Sequence, residues 1–206
     1  AVTTVVFDKT GTLTEGRPAL LAVHAAPGQT REAVLSLSAS LQQTSEHPLA
    51  RAVMDAVRSG RVSEPVSQAQ DVQALPGRGL QATVNGQRVL LGSSRLMHER
   101  QVDAGGLVDA AKQLESQGRT ISWLLRETGQ TTELLGLLAF GDAITASARN
   151  AVAGLHRLGI ETVMLTGDNR GSAEAVAQAL GIRQFRAEVL PDDKAAVVEQ
   201  LRAAGK

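Results

Sequence analysis

Two short runs of β-branched and apolar residues, far apart in the chain, each end at a polar loop that contains aspartate and glycine. The first covers residues 3–7 and is followed by Asp8 and a polar segment to Pro18. The second is Glu161–Leu165, followed by Thr166-Gly167-Asp168-Asn169. Such runs predict buried strands. Because open α/β sheets carry their sites at the carboxyl ends of the strands, both polar loops are candidate functional loops.

The residues around the second run alternate between helical and extended patterns. Apolar side chains recur at helical spacing through residues 148–158 and again through residues 173–180, and each pattern stops at a glycine, Gly159 or Gly181. Alternation of helix and strand is typical of a parallel sheet covered by helices. The last third of the chain is therefore predicted to be α/β.

The middle of the chain has a different pattern. Thr30 is placed to cap a helix over residues 30–43, and Pro48 to open a second helix over residues 48–58. Residues 81–84 and 87–91 flank Asn85-Gly86, the strongest hairpin signal in the chain, and residues 121–126 and 132–138 flank a second turn at 128–130. Two helices and two antiparallel hairpins predict an α+β domain.

We therefore predict two domains, one inserted into the other. Residues 1–19 and 137–206 form a discontinuous α/β domain with a Rossmann-like parallel sheet. Residues 20–136 form an α+β domain on an antiparallel sheet, inserted after the first strand. Because the chain begins directly on a predicted core strand, without the pattern of a signal peptide, a longer parent protein is expected.

Composition excludes several classes of function. Lys plus Arg and Asp plus Glu both number 21 and aromatic residues make up 2%, so neither the net charge nor a base-stacking surface favours nucleic acid. Cysteine is absent, which excludes disulfides, thiolate metal sites and a cysteine nucleophile and fits a cytosolic setting. No apolar run approaches the roughly 18 residues of a membrane span, so this chain is expected to be soluble.

The loop after the first strand reads Asp8-Lys9-Thr10-Gly11-Thr12-Leu13-Thr14. A carboxylate at a strand end can act as a nucleophile toward a phosphoryl group. Gly11 allows a tight turn, and the hydroxyls of Thr10 and Thr12 could hold phosphate oxygens. The alternative is an ordinary Asx-type turn, which an aspartate followed by threonine and glycine also favours.

This loop resembles the phosphorylation sequence of P-type ATPases, which belong to the haloacid dehalogenase-like superfamily. The resemblance implies that ATP phosphorylates Asp8, that Thr166-Gly167-Asp168 binds phosphoryl oxygens, and that Lys194 offsets the developing charge. The implied catalytic residues are Asp8, Lys9, Thr10, Thr166, Gly167, Asp168 and Lys194. Mg²⁺ is implied at the Asp8 carboxylate and the Thr10 carbonyl. Phosphatases of the superfamily carry aspartate where Thr10 stands, so Thr10 argues against a phosphatase.

The inserted domain resembles that of heavy-metal transporting P-type ATPases. His47-Pro48 corresponds to the family's His-Pro pair, whose histidine contacts the adenine of ATP. The implied nucleotide-binding residues are Gln42, Glu46, His47, Gly77, Gly79, Gly92 and Asp142. Three positions depart from the family, because Gln42 replaces a glutamate, Ser93 an asparagine, and Thr145 a basic residue.

The resemblance implies the ATP-binding, autophosphorylating cytosolic unit of a pump that exports a heavy-metal cation, with copper favoured over zinc or cadmium. Expected cofactors are ATP and Mg²⁺, and expected partners are the membrane and actuator domains of the pump and a metallochaperone. Relatives continue past the position of Lys206 with a loop that completes the Mg²⁺ site. Two alternatives stay open: a nucleotide-binding module without turnover because that loop is absent, and a haloacid dehalogenase-like phosphatase.

Overall fold

The computed structural model describes residues 1–61 and 66–203 of the chain. The strands are β1 (Thr4–Asp8), β2 (Thr14–Ala25), β3 (Ala69–Leu75), β4 (Gly79–Val84), β5 (Gln87–Gly92), β6 (Thr120–Thr128), β7 (Thr131–Ile144), β8 (Glu161–Leu165) and β9 (Gln184–Arg186). The helices are α1 (Arg31–Gln42), α2 (Pro48–Ala56), α3 (Ser94–Glu99), α4 (Val108–Ser116), α5 (Ala146–Arg157), α6 (Arg170–Leu180) and α7 (Lys194–Ala203). Short helical turns occupy Lys9–Leu13, Val57–Arg61, Gly105–Leu107 and Pro191–Asp193.

These elements form two compact units. The parallel-sheet unit comprises Ala1–Arg17, Ser116–Gly118 and Asp142–Lys206, and the antiparallel-sheet unit comprises Pro18–Glu115 and Arg119–Gly141. The sequence predicts domain changes at 19/20 and 136/137. In the structure β7 continues without interruption from Thr131 to Ile144, so the strand itself has no break at the predicted boundary near 136.

The parallel-sheet unit is built on β1, β8 and β9 in the order β1-β8-β9, with parallel pairing throughout. Asp8 pairs with Leu165, so the polar loops after β1 and β8 leave the sheet at the same edge. Apolar side chains of the strands and of α5 and α6 pack around Met164, which is fully buried. The predicted α/β fold is confirmed, and the strand at Glu161–Leu165 has the predicted bounds.

The antiparallel-sheet unit has six strands in the order β2-β7-β6-β5-β4-β3. One buried apolar cluster joins the sheet to α1 and α2, and a second joins it to residues of α3 and α4. Capping follows the predicted chemistry, because Thr30 Oγ1 accepts from the Ala33 N–H at 3.0 Å at the start of α1. Asn85 and Gly86, with φ of 52° and 77°, form the predicted turn between β4 and β5. The predicted α+β fold is confirmed.

Two expectations about strands differ from the structure. The polar segment over residues 8–18 is a loop only through Leu13, because β2 already begins at Thr14. Asp142 of β7 accepts hydrogen bonds from Thr14 and Gly16 and so holds the start of β2. Strand β3 has no counterpart in the sequence prediction, since most of its side chains are exposed and a bulge interrupts its pairing with β4.

None of the helices in the described part of the chain is long and apolar enough to cross a membrane.

Candidate functional site

Asp8 is the last residue of β1, and its carboxylate lies at the carboxyl edge of the parallel sheet. Lys194 Nζ donates to Asp8 Oδ1 at 2.8 Å. The side chains of Asp8 and Lys194 are 50% and 34% exposed, so the pair is open to solvent. Lys194 is held there because Asp193 N–H donates to the Leu190 carbonyl at 2.9 Å, which closes the turn before α7. The structure therefore joins a candidate nucleophile to a cation that lies 186 residues away in the sequence.

Lys9 differs from Lys194 in its surroundings. Its side chain is only 1% exposed, and its ammonium group forms an ion pair with Asp168, whose side chain is 44% exposed. Because Lys9 follows β1 and Asp168 follows β8, this pair ties together the two loops at the carboxyl edge of the sheet. A buried lysine is stable in charged form only with such a partner.

Thr166 is the first residue after β8, and the structure buries it almost completely. Its Oγ1 accepts from the Asp168 N–H at 3.0 Å, and its backbone pairs with Arg186 and Val189. The hydroxyl proton takes no part in the bond from Asp168, since the oxygen is the acceptor there. Gly167 suits this crowded loop, because an added Cβ would lie 3.3 Å from the Val189 carbonyl oxygen.

The turn at Lys9–Leu13 follows Asp8 directly in the chain. Gly11 adopts a φ of 77°, a left-handed conformation that glycine favours, and Thr10 has an extended backbone on an exposed part of the turn. The candidate metal ligands here are the Asp8 carboxylate and the Thr10 carbonyl. Carboxylate and carbonyl oxygens are the ligands that Mg²⁺ prefers in proteins. The residues therefore fit the Mg²⁺ ligands that the resemblance implies, Asp8 and Thr10.

Asp142 has both carboxylate oxygens engaged. Thr14 Oγ1 donates to Oδ2 at 2.6 Å and the Gly16 N–H donates to Oδ1 at 2.9 Å. These bonds fasten the end of the loop after β1 to β7. Asp142 as a nucleotide contact stays a prediction, and the positioning role of Thr14 is one that the sequence analysis missed. Its place as the last hydroxyl of the Asp8 loop was the available signal.

In the antiparallel-sheet unit, His47 caps α2. Its Nδ1 accepts from the Leu49 N–H at 3.1 Å, and its backbone N–H donates to Ser45 Oγ at 3.2 Å. Because Nδ1 accepts this hydrogen bond, Nε2 is the ring nitrogen that can bind another group. Both His47 and Glu46 are exposed. The predicted helix start at Pro48 and an accessible imidazole therefore occur together.

Two buried polar atoms have no hydrogen-bond partner in the described residues. They are Gln42 Oε1 and Ser93 Oγ. Gln42 is the last residue of α1 and only 7% exposed, and Ser93 follows β5 directly. Both are positions at which the sequence analysis expects a departure from the family pattern. A buried polar atom without a partner costs free energy, and strain, a role in a site, or a bound water or ion each accounts for such an atom.

The three predicted nucleotide-binding glycines are needed by the backbone itself. Gly79 and Gly92 lie opposite each other in β4 and β5. An added Cβ would lie 2.1 Å from the Leu91 oxygen at Gly79 and 2.2 Å from the Arg78 oxygen at Gly92. Gly77 has a φ of 71° in the turn before β4. Contact with a nucleotide remains a prediction for all three, and the structure shows close strand approach at Gly79 and Gly92 and a left-handed turn at Gly77.

A charged cluster that the sequence analysis missed lies beside these glycines. Arg78 Nη1 donates to Glu99 Oε2 at 3.0 Å, and Arg95 Nε lies 3.3 Å from Glu99 Oε1. The hydrogen bond from Arg78 is the main reason that the pKa of Glu99 lies below its ordinary value, and the charge of Arg95 adds to it. Arg78 stands inside the Gly77-to-Gly79 segment, which was the signal available in the sequence.

The two polar loops, the buried Lys9 and the cation on α7 form a single cluster in the parallel-sheet unit. A family model for haloacid dehalogenase-like hydrolases matches residues 2–206. The chain belongs to the haloacid dehalogenase-like hydrolase family. The loops after β1 and β8 are thus the two strand-end loops of a haloacid dehalogenase-like sheet.

Curated relatives of this haloacid dehalogenase-like chain are metal-transporting P-type ATPases. It is 42% identical over 205 residues to a copper-exporting P-type ATPase of Mycobacterium leprae, with all of this chain and 25% of the relative covered. It is 39% identical over 201 residues to a zinc/cadmium/lead-transporting P-type ATPase of Escherichia coli, with 97% of this chain and 26% of the relative covered. The chain therefore spans about a quarter of the length of these relatives.

A solved structure gives the same result. The crystal structure of a zinc-transporting PIB-type ATPase superposes with a TM-score of 0.85 at 36% identity, covering 98% of this chain and 32% of that one. The resemblance to heavy-metal P-type ATPases that the sequence predicts is confirmed, and so is the fold class.

Proposed function

We propose that the chain is the ATP-binding and phosphorylated unit of a P-type ATPase that transports a heavy-metal cation, with Asp8 as the phosphoryl acceptor. The observation that carries the proposal is the Asp8 carboxylate at the end of β1 with Lys194 Nζ at 2.8 Å. Phosphoryl transfer depends on positioning and on cations near the developing charge. Lys194 supplies such a cation beside the nucleophile.

In the proposed reaction, a carboxylate oxygen of Asp8 attacks the γ-phosphorus of ATP. The bond from that phosphorus to the oxygen bridging the β- and γ-phosphates breaks, ADP leaves with the electron pair, and an aspartyl phosphate remains. Lys194 offsets the added negative charge on the phosphoryl oxygens. In the second half, water attacks the phosphorus, the acyl phosphate bond breaks, and inorganic phosphate and the Asp8 carboxylate are released with one proton.

Lys9 and Thr166 have supporting roles in this proposal. The buried Lys9 fixes Asp168, and Asp168 N–H fixes the Thr166 hydroxyl. The hydroxyl proton of Thr166 is then available to a phosphoryl oxygen, whereas Lys9 acts through Asp168 as a positioning residue. Mg²⁺, when held by the Asp8 carboxylate and the Thr10 carbonyl, would lower the negative charge of the incoming phosphate.

The adenine end of ATP is proposed to bind the antiparallel-sheet unit. The exposed His47 ring, with Nδ1 already used for the α2 cap, and the unpartnered Gln42 Oε1 support this assignment. Glu46, Gly77, Gly79 and Gly92 are the further proposed contacts, and Asp142 remains a proposed nucleotide contact in the other unit.

The proposal names the transported ion only by class. A copper-exporting relative at 42% identity and a zinc/cadmium/lead-transporting relative at 39% do not separate the metals, and copper rests on the likeness of sequence alone. In this proposal the chain is a cytosolic portion of a membrane pump. Its partners would be the membrane and actuator domains of that pump and a metallochaperone.

The proposal is tested by acyl phosphate formation. Membranes that contain the full-length pump are incubated with γ-labelled ATP and Mg²⁺, quenched in acid, and treated with hydroxylamine, which cleaves acyl phosphates. We expect label that hydroxylamine removes. Asp8→Asn should abolish the label and leave ATP binding intact or tighter, because a negative charge near the γ-phosphate is gone. Asp192→Asn, which changes an exposed aspartate of the same unit, should keep the label. Label retained in Asp8→Asn would remove Asp8 from this role.

A second candidate function is nucleotide binding without turnover by the chain on its own. Residues 1–61 and 66–203 contain no group of three or more histidine, cysteine or acidic side chains that could hold a metal ion. With fewer protein ligands, Mg²⁺ would be held mainly by water and phosphate oxygens. Binding of ATP to the isolated chain together with absence of hydroxylamine-sensitive label would support this function for the isolated chain.

A further inference from the structure

A cleft of about 240 Å³ lies between α1 and the sheet of the antiparallel-sheet unit. Its apolar part is formed by Val84, Leu124 and Leu135 of the sheet, which are almost completely buried. Most of the polar side chains that line the cleft carry hydroxyls or amides: Gln29, Ser36, Ser40, Ser67, Asn85 and Gln87. The cleft therefore combines an apolar surface with neutral hydrogen-bonding groups.

The spacing of the residues explains why the cleft is there. Residues 33, 36, 37 and 40 lie on one side of α1, and two of these four residues are serines. On β6, Arg126 stands two residues after Leu124 and so points to the same face of the sheet as that core residue. Gln87 is related in the same way to Val89 on β5. Small and polar side chains therefore leave a space that the apolar core does not fill.

Ser36 has a hydroxyl group that forms no hydrogen bond with the described residues. The residue is 8% exposed, and it is its backbone carbonyl that accepts from Ser40 Oγ at 3.1 Å. Because Ser36 lines the cleft, its oxygen is reached from there, whereas Gln42 Oε1 and Ser93 Oγ are closed off. An unused hydroxyl beside a cleft offers a polar ligand a hydrogen bond that the described chain does not make.

The cleft is separate from the glycines that are proposed to contact the nucleotide. In the β4–β5 pair, Gly79 lies opposite Gly92, and Val84 lies opposite Gln87. From Gly79 to Val84 the strand rises about 17 Å, at about 3.4 Å per residue. The glycine pair and the cleft therefore lie at opposite ends of this hairpin, and a ligand in the cleft leaves the glycines accessible.

The charge and size of the cleft define the class of ligand. Arg126 is the one charged side chain among the lining residues that the structure describes, and its Nε donates to Glu133 Oε1 at 2.7 Å, so no unpaired charge favours an ion. Serine hydroxyls and side-chain amides both donate and accept, as the hydroxyls of a polyol do. The C–H groups of a polyol ring can pack on Leu124 and Leu135. The volume lies just below the about 300–1,000 Å³ of sites for drug-sized ligands, so a single six-membered ring suits it.

We propose that this cleft is a binding site for a neutral cyclic polyol of monosaccharide size. Ser36 Oγ donates to a ligand hydroxyl, and the amides of Gln29, Asn85 and Gln87 bind further hydroxyls. The inference goes beyond the proposed function and does not depend on it, because no nucleotide takes part.

The first test varies the ligand. The 206-residue chain is labelled with ¹⁵N and titrated with myo-inositol, or with cyclohexanol, which has the same carbon ring and a single hydroxyl. We expect saturable shifts of the side-chain amide signals of Gln29, Asn85 and Gln87 with inositol, at about millimolar concentration. Cyclohexanol should bind about tenfold or more weakly, because it forms fewer hydrogen bonds. Equal binding of the two compounds, or no saturable shift with inositol, would overturn the inference.

The second test removes the unused hydroxyl. Ser36→Ala should weaken inositol by about 3- to 10-fold and should not lower the denaturation midpoint, because the described chain loses no hydrogen bond. Ser38→Ala is the matched control. Ser38 is fully buried and its Oγ donates to the Val34 carbonyl at 2.8 Å, so this variant should lower the midpoint and leave the inositol affinity unchanged. Equal inositol affinity in Ser36→Ala and the unaltered chain would contradict the role of Ser36.

A second variant and a competition experiment complete the test. Gln87→Leu, at an exposed strand residue, should also weaken inositol, and it replaces Ser36→Ala if that variant does not fold. Saturating ATP should leave the inositol shifts in place. Displacement of inositol by ATP would make the cleft part of the nucleotide site and end the inference. Binding of inositol in a chain that does not bind ATP would instead support the inference and contradict the proposed function alone.

Discussion

The two units differ in how the polar side chains of their candidate sites are partnered. In the parallel-sheet unit, Asp8 is paired with Lys194, and Lys9 is paired with Asp168. In the antiparallel-sheet unit, Gln42 Oε1 and Ser93 Oγ have no partners in the described residues, and the charged cluster of Arg78, Glu99 and Arg95 is partly exposed.

The difference matches the work that each unit is proposed to do. Stabilising a transition state requires charges that are in place before the reaction, because moving them during the reaction would raise the barrier. Binding a base requires donors and acceptors that the protein has not already used. Burial adds a second contrast, since the Lys9 side chain is 1% exposed and that of Arg95 is 69% exposed. The buried Lys9–Asp168 pair should therefore contribute more to the free energy of unfolding than the exposed Arg95–Glu99 pair.

The largest expected effect is on phosphorylation by removal of Lys194. Lys194→Ala should lower the rate of phosphoenzyme formation by about 100- to 1000-fold, the typical cost of removing one group that stabilises transition-state charge. The free energy of unfolding should change by less than about 1 kcal/mol, because the pair with Asp8 is half exposed. Rapid-quench labelling gives the rate and denaturant titration gives the stability. Lys112→Ala, at an exposed lysine of α4, is the control. A large loss of stability with an unchanged rate would reverse the assignment.

Removal of Lys9, in contrast, should clearly lower the stability of the chain. Lys9→Ala should lower the free energy of unfolding of the parallel-sheet unit by about 2–4 kcal/mol, because a buried stem is lost and Asp168 loses its partner. Lys9→Met keeps most of the stem and should cost less. Trp123, the one tryptophan of the chain, lies in the antiparallel-sheet unit, so its fluorescence follows that unit while circular dichroism follows both. A shift of the Trp123 transition equal to that seen by circular dichroism would contradict this localisation.

The glycines offer a smaller effect that separates strand pairing from ligand contact. Gly79→Ala places a Cβ 2.1 Å from the Leu91 oxygen and should lower the stability seen by Trp123 fluorescence by about 1–3 kcal/mol. Gly77→Ala, where the φ of 71° is the obstacle, should cost about 1–2 kcal/mol. Gly106→Ala, with no heavy atom within 4 Å of its added Cβ, should have little effect. If Gly79→Ala instead weakens ATP binding without loss of stability, its role is nucleotide contact.

Much of the fold could be predicted from local patterns. The capping threonine of α1, the proline that opens α2, the Asn85-Gly86 turn and the glycine that ends α6 all act through neighbouring residues, and each was found where predicted. Strand β3 could not be predicted, because its side chains are mostly exposed and Asp71, with a φ of 53°, breaks the alternation. The early start of β2 depends on Asp142, which lies 128 residues from Thr14. Contacts of this kind leave no local pattern.

The candidate site likewise contains some features that the sequence predicts and others that depend on contacts between distant residues. The resemblance of the loops after β1 and β8 to P-type ATPases let Asp8, Thr166 and Asp168 be named as candidates from the sequence, and their roles stay predictions. The burial of Lys9, and its pairing with Asp168 in place of solvent, could not, because an isolated lysine after a strand is usually exposed. The lack of a partner for Gln42 Oε1 is a property of the packed chain alone.

The smallest expected effect concerns the exposed cluster at Glu99. Because Arg78, and then Arg95, hold the pKa of Glu99 below its ordinary value of 4.5, the ionised form favours the folded chain. That contribution is complete above the ordinary value and is lost as the pH falls through the lowered pKa. Glu99→Gln has no such contribution to lose, so its Trp123 melting temperature should fall less steeply than that of the unaltered chain below about pH 4.5. Glu115→Gln, at an exposed glutamate of α4, should follow the unaltered chain.

Added salt at pH 7 should reduce the difference between Glu99→Gln and the unaltered chain, because exposed pairs are screened, and should leave the effect of Lys9→Ala nearly unchanged. Equal salt sensitivity at both places would mean that burial does not set the contrast between the two units.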